Sequence, residues 1–226
     1  MSQSDSFIEE VTEEVRRDRL FAMMRRYGWI AIALVLLLVA GAAWREYQKA
    51  QDRTAAEGLG DALLSALEQS DPGARSAALA TVPATSNGQQ AVVAFLAAAE
   101  AAQAGDASAA ADRLEAVAEL ADLPQVYRDL ARFKALALRA EELTPQERID
   151  GYTALARPGS GLRLLAEEQI ALSLIETGDA EAALSALRAI LADAEVTSGL
   201  RQRASQLMVA LGEDPAAGDA NTSGNE

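Results

Sequence analysis

The chain has 226 residues and a formal net charge of −14, and it contains neither histidine nor cysteine. The lack of both residue types excludes the usual zinc sites, disulfide frameworks and histidine-based catalysis. The acidic balance, with Lys49 and Lys134 as the two lysines, excludes nucleic-acid binding, which requires clustered cations.

Residues 1–26 predict a short amphipathic helix ahead of the first apolar segment. Phe7, Ile8, Val11 and Val15 recur at helical spacing, and glutamates occupy the other sides. Such a stripe requires cover from a protein partner, a second copy or a membrane surface. A poorly ordered juxtamembrane helix is the alternative interpretation.

Residues 27–44 are uncharged and almost wholly apolar, which predicts one transmembrane helix. The seventeen residues 28–44 would form a helix of roughly 25 Å, slightly short for a bilayer core of about 30 Å. Aromatic residues suit the two interfaces, and flanking arginines can reach the headgroups. The predicted membrane-interface anchors are Arg25, Arg26, Tyr27, Trp29, Trp44 and Arg45. The alternatives are a buried core helix and a signal peptide cleaved at the small-residue pattern of residues 40–42.

The distribution of basic residues predicts the orientation of this span. Five arginines lie within residues 1–26, whereas Arg45, Lys49 and Arg53 follow the span and are interleaved with acids. Lysine and arginine near a span favour the cytoplasmic side. Residues 1–26 are therefore predicted to be a cytoplasmic segment, and everything after the span is predicted to be exported.

Beyond the span, residues 45–211 predict an all-α domain. Helices are expected near 45–70, 72–81, 88–104, 106–121, 125–142, 145–156, 161–177, 179–193 and 198–211. Pro72 and Pro145 fit the first turns of their helices, and no stretch shows the alternation of a β-strand. Residues 212–226 hold no large apolar residue and are predicted to be a disordered acidic tail.

Two Gly-Asp pairs organise this domain as repeats. Gly105-Asp106 and Gly178-Asp179 lie 73 residues apart, and the same alanines and a leucine follow each pair. Half of that offset is close to the period of about 34 residues in helical-hairpin repeats. A glycine that ends one helix and an aspartate that starts the next predict a tight corner. The alanines expected to let the paired helices approach closely are Ala98, Ala110, Ala171 and Ala183.

A short acidic start, arginines before one span and a degenerate tetratricopeptide domain together resemble the YfgM family, and residues 7–21 and 25–29 carry the closest likeness. Members of that family are ancillary subunits of the bacterial Sec translocon. The resemblance implies a single-pass protein of the bacterial inner membrane, with an α-solenoid of tetratricopeptide-like hairpins in the periplasm. It also implies contact with translocon subunits and with exported polypeptides or their chaperones.

The first helix of each hairpin would line the concave groove of such an array. If Gly105 and Gly178 end first helices, the candidates for the peptide groove are Val92, Phe95 and Ala99 in one repeat and Leu165, Glu168, Leu172 and Ile175 in a later one. Interpolation to the helix between them adds Arg132, Leu136 and Arg139. Each of these could instead be a core residue. The chain departs from the usual repeat pattern, which has an early aromatic residue, at Ala94 and Glu167.

No residue pattern indicates catalysis. Neither lysine lies in a phosphate-binding loop, and adjacent carboxylates such as Glu141 and Glu142 point about 100° apart on a helix. We therefore predict a non-enzymatic accessory protein of envelope secretion, without cofactor or metal. A structural subunit or assembly factor of another inner-membrane complex is the alternative.

Overall fold

The computed structural model describes the backbone of residues 3–214 and the side chains of residues 25–30 and 32–214. All regular secondary structure in this part of the chain is helical, which confirms the predicted all-α class. Its helices are α1 (Gln3–Leu67), α2 (Pro72–Leu79), α3 (Asn87–Gln103), α4 (Ala107–Ala118), α5 (Gln125–Leu138), α6 (Pro145–Thr153), α7 (Arg163–Glu176), α8 (Ala180–Ala192) and α9 (Ser198–Ala210). The side chains of the predicted apolar stripe at Phe7, Ile8, Val11 and Val15 lie outside the described residues, as do residues 215–226 of the predicted acidic tail.

The expectation of a separate helix beginning at residue 45 was wrong, because α1 runs without a break from Gln3 to Leu67. An isolated glycine such as Gly58 or Gly60 weakens a helix by about 1 kcal/mol but does not end it. Caps and prolines favour a helix boundary, and the first such signal after the span is Asp71-Pro72. The chain nevertheless divides into two compact units, Met1–Gly58 and Leu59–Glu226.

The first unit contains the apolar part of α1. Within the described residues, α1 is the one helix long and apolar enough to cross a membrane, and none of that apolar window is buried. Leu37 is 73 % exposed, and its apolar neighbours are exposed to a similar degree. A soluble core helix would instead bury such residues, so the structure favours a membrane span over the alternative of a core helix.

The second unit is built from helices that stop and start where the sequence predicts caps. Gly105 and Gly178 adopt positive φ angles of 83° and 80°. The carboxylates of Asp106 and Asp179 then accept from the backbone N–H groups of the third residues beyond, each at 3.0 Å. Thr144 and Glu147 form the capping box that begins α6. The two Gly-Asp corners predicted from the sequence are therefore confirmed.

Small residues allow the helices of each hairpin to pack closely. Ala98 and Ala110 are buried between α3 and α4, and Ala171 and Ala183 are buried in α7 and α8. Apolar clusters then follow the order of the helices, from the end of α1 with α2 and α3 to α7 with α8 and α9. Each helix thus packs mainly against its sequence neighbours, as in a stacked array of hairpins.

Candidate protein-binding face

A pocket of about 370 Å³ opens between α3 and α5. Its lining residues are Phe95, Ala98, Ala99 and Ala102 of α3, Leu114 of α4, and Phe133, Lys134, Ala137 and Leu138 of α5. Eight of these nine residues are apolar, and Lys134 supplies the one charge. The alanines leave the space that the two phenylalanines border, so the pocket results from small side chains between neighbouring helices.

Exposed apolar side chains extend this pocket along α5. Val126 and Tyr127 are 57 % and 49 % exposed. Val126 precedes the half-buried Leu130 and then Phe133 at spacings of four and three residues, and Tyr127 precedes Leu130 and then the pocket residue Lys134 at spacings of three and four. Val92 on α3 is 47 % exposed. Large apolar side chains that remain about half exposed in the described chain mark a surface for a partner. We call Val92, Val126, Tyr127, Leu130 and the pocket the α3–α5 face.

The structure places the residues predicted on α3 at or beside this pocket. Phe95 and Ala99 line it, and Val92 is exposed one turn earlier on the same helix. Phe95 also packs against the core cluster of α3, α4 and α5. It therefore serves both the core and the surface.

The three residues predicted on α5 lie elsewhere. Arg132 pairs with Glu119, and Arg139 pairs with Asp112 and Glu115, so both arginines contact α4. Leu136 instead packs against the cluster around Tyr152 of α6. The pocket receives Phe133, Lys134 and Ala137 in their place.

No Gly-Asp pair borders α5, so no local motif in the sequence fixes which side chains of this helix face the pocket. A signal was present in the acids of α4, since Asp112, Glu115 and Glu119 recur at helical spacing and match arginines seven residues apart on α5. That match requires the pairing of α4 with α5 to be known first. Without that pairing, the sequence does not show that Arg132 and Arg139 are turned towards the acids of α4 and that Phe133, Lys134 and Ala137 line the pocket.

The four residues predicted on α7 do not join the α3–α5 pocket. Glu168 is buried and bound to Arg203. Leu165 lines a separate pocket of about 440 Å³ near the loop that contains Gly159 and Ser160. Leu172 and Ile175 are half-buried. The structure thus brings together only the α3 members of the predicted groove.

Ion pairs between helices engage most arginines of the second unit. Arg75 pairs with Glu100 at 2.6 Å, Arg148 with Glu176, and Arg157 with the buried Asp129. Further pairs join Arg188 to Glu213 and Arg203 to Glu168. The basic side chains of this acidic domain mostly hold neighbouring helices together and are not offered to a partner.

One of these clusters lies beside the second pocket. The guanidinium of Arg163 contacts Asp193 at 2.9 Å and Glu195 at 3.0 Å. The backbone N–H of Glu195 and the guanidinium of Arg163 lower the pKa of Asp193, and hydrogen bonds to both carboxylates raise the pKa of Arg163. These groups satisfy one another, which indicates a structural cluster and not a reactive one.

Metal binding and acid–base catalysis find no support in the described side chains. No group of three or more histidine, cysteine, aspartate or glutamate side chains is arranged there to hold a metal ion. The buried Asp129 and Glu168 both pair with arginines. The candidate functional site of the second unit is therefore its exposed apolar face, which suits non-covalent binding.

Stacked helical hairpins with an exposed apolar face define a repeat protein that binds other proteins. A family model described as tetratricopeptide repeat-like domain matches residues 24–148. This is more than half of the chain, and the protein belongs to the tetratricopeptide repeat-like domain family. Domains of this family are typically non-catalytic interaction modules, and they imply protein partners. No curated protein and no solved structure matches the chain.

Proposed function

We propose that the protein is a single-pass, non-enzymatic accessory protein of the bacterial Sec translocon. The resemblance to the YfgM family supports this role. The family match begins at residue 24, so it includes the apolar part of α1 together with the first hairpins. A segment shared with the family domain is better explained as a permanent anchor than as a signal peptide that is removed.

In this proposal residues 1–26 lie in the cytoplasm, residues 27–44 span the inner membrane, and residues 45–211 form the periplasmic domain. Arg25 and Arg26 support the orientation, since both are exposed immediately before the span. Trp29 and Trp44 are 67 % and 64 % exposed near its two ends. Indole rings at those positions suit the two interfaces of a bilayer.

The α3–α5 face carries the proposal of client binding. Its exposed residues are almost all apolar, and Arg132 and Arg139 are engaged by carboxylates on the side of α4. An apolar surface with few polar groups sets little sequence preference, because specificity comes mainly from placed hydrogen bonds and charges. Such a face suits transient contact with unfolded exported segments or with the chaperones that carry them.

The test is affinity purification of the full chain from native membranes in mild detergent, followed by quantitative mass spectrometry. We expect translocon subunits together with a heterogeneous set of exported proteins. Replacing both Val126 and Tyr127 with serine should reduce the exported proteins several-fold and leave the translocon subunits in place. Val209→Ser is the matched control, because Val209 is 61 % exposed on α9, away from the α3–α5 face.

A different result would identify the alternative function. Recovery of one defined complex at a fixed ratio, unchanged by the α5 variant, would indicate a structural subunit or assembly factor. Loss of all partners in both variants would show that the serine substitutions act on folding. Circular dichroism of each purified variant separates that case from the loss of a binding surface.

A further inference from the structure

Lys134 is the one charged residue that lines the α3–α5 pocket, and it has no ion pair or hydrogen bond among the described residues. Its environment differs from that of Arg132 and Arg139, which pair with the carboxylates of Glu119, Asp112 and Glu115. Most arginines of the second unit pair with an acid, whereas the Lys134 ammonium does not in the part of the chain that the structure describes. It leaves a positive charge beside an apolar cavity.

The other polar groups of the pocket are already in use. The lining residues of α3 and α5 lie within their helices, where the backbone N–H groups are bonded internally. A polypeptide partner is therefore expected to lie across the exposed residues Val92, Val126 and Tyr127, with its amide groups in solvent. A peptide backbone buried inside the cavity would leave its amide groups unpaired, so the cavity itself suits a ligand whose one polar group is a single anion.

We propose that this pocket binds a fatty acid, with the alkyl chain among Phe95, Phe133 and the alanines and the carboxylate on Lys134. The charges are complementary one to one. A multiply charged ligand would meet the acidic surface of the domain with only one cation to offset it. The volume of about 370 Å³ lies within the range of small-molecule pockets. This ligand is additional to the protein partners of the face, and its binding does not depend on them.

The first test uses dodecanoic acid that carries a diazirine on its alkyl chain. The full chain in amphipol is irradiated with this probe, and labelled peptides of α3 and α5 are quantified by mass spectrometry. The corresponding diazirine-bearing alcohol and trimethylammonium compound serve as matched probes. We expect labelling of α3 and α5 by the acid at least about tenfold above the other two, as a charge-assisted contact implies.

Lys134→Met tests the role of the charge, because methionine keeps much of the apolar stem and the position is exposed. It should lower labelling by the acid about tenfold and leave labelling by the alcohol unchanged. Lys49→Met is the matched control, since Lys49 is the other lysine and lies outside the pocket. Equal labelling by acid and alcohol in the parent protein, or an unchanged Lys134→Met variant, would overturn the proposal.

A second pair of variants tests the cavity itself. Ala137→Leu places a larger side chain in the pocket at an exposed helix position, and leucine is a good helix former. It should abolish labelling of α3, whereas Ala189→Leu, at an exposed position of α8, should not. If a peptide with an apolar C-terminal residue protects the pocket from a general carbene reagent while dodecanoic acid does not, the occupant is a polypeptide and the fatty-acid assignment is wrong.

Discussion

The buried carboxylate of Glu168 accepts two hydrogen bonds from the guanidinium of Arg203, at 2.6 and 2.7 Å. The pair joins α7 to α9, the last helix of the described array. The side chain of Glu168 is 6 % exposed and that of Arg203 is 51 % exposed. The free-energy cost of desolvation is therefore mainly that of the Glu168 carboxylate, and the hydrogen bonds from Arg203 offset it.

Removal of Arg203 should destabilise the repeat domain more than loss of an ordinary surface arginine. For Arg203→Met we expect the free energy of unfolding to fall by about 2–3 kcal/mol. Breaking a fully buried pair costs about 3–5 kcal/mol, and the exposure of Arg203 reduces that figure. Urea unfolding followed by circular dichroism measures the change.

Arg201→Met is the control for this prediction. Arg201 is exposed on the same helix, and its side chain has no partner among the described residues. Its replacement should change the free energy of unfolding by less than about 0.5 kcal/mol. Equal losses in the two variants would show that the contact with Glu168 contributes nothing specific.

Gly151 lies where α6 meets α5, and its missing side chain has a definite role. A Cβ atom at this position would stand 2.7 Å from Cδ2 of Leu136. Gly151→Ala should therefore destabilise the protein by about 1 kcal/mol, since overpacking costs about 1–3 kcal/mol and alanine regains about 1 kcal/mol of helix propensity. In a Leu136→Ala background the clash disappears, and the same substitution should become stabilising. Urea unfolding of the four proteins gives the sign in each background.

A change of sign between the two backgrounds would distinguish the steric contact with Leu136 from the intrinsic helix propensity of alanine. If Gly151→Ala has the same effect in both backgrounds, Leu136 does not set the requirement for glycine. The single variant Leu136→Ala should itself cost about 2 kcal/mol, because Leu136 packs against the cluster that contains Tyr152 and Leu155. A much smaller cost would indicate that this cluster contributes little to stability.

The parts of the fold that could be predicted from the sequence are those with local causes. Asp106 and Asp179 cap their helices through their own backbone neighbours, so a Gly-Asp pair is sufficient to locate a corner. The continuity of α1 from the span to Leu67 was missed because helix ends depend on caps and not on a change from apolar to polar residues.

The candidate site depends on contacts that a single sequence does not display. Arg132 and Arg139 resemble groove residues until the acids of α4 are seen to face them. Glu168 likewise resembles a surface glutamate, and its burial follows from Arg203, which lies 35 residues later. Non-local ion pairs thus decide which side chains of a first helix remain available to a ligand.

Burial of Tyr152 should make stability depend on pH in the alkaline range. The ring is 2 % exposed and packs edge-to-face on Phe133, with 5.3 Å between centroids. Burial raises the pKa of Tyr152 above its ordinary value of 10.0, and the charge of Arg148 opposes this shift. The unfolded chain therefore releases the phenol proton first as the pH rises. Its contribution to stability is complete below about pH 10 and declines above it.

Tyr152→Phe removes this proton and should remove the corresponding part of the decline. The measurement is the urea midpoint of the parent protein and of the variant from about pH 8 to about pH 11, a range that includes the ordinary tyrosine pKa of about 10. Above about pH 10 the curve of the parent protein should fall more steeply than that of the variant, whatever the difference in stability at pH 8. Parallel curves over the whole range would show that Tyr152 titrates alike in the folded and unfolded states.

The proposed orientation can be tested without background, because the chain contains no cysteine. The cysteine of a Ser70→Cys variant, which is exposed in the turn after α1, should react with a membrane-impermeant maleimide in spheroplasts. Ser6→Cys should react only after the membrane is dissolved, since the arginines before the span are expected to hold the N-terminus in the cytoplasm. Labelling of both cysteines after detergent treatment is the control for reactivity. The reverse pattern would place the repeat domain in the cytoplasm, where it could not meet exported chains and where the secretion proposal would fail.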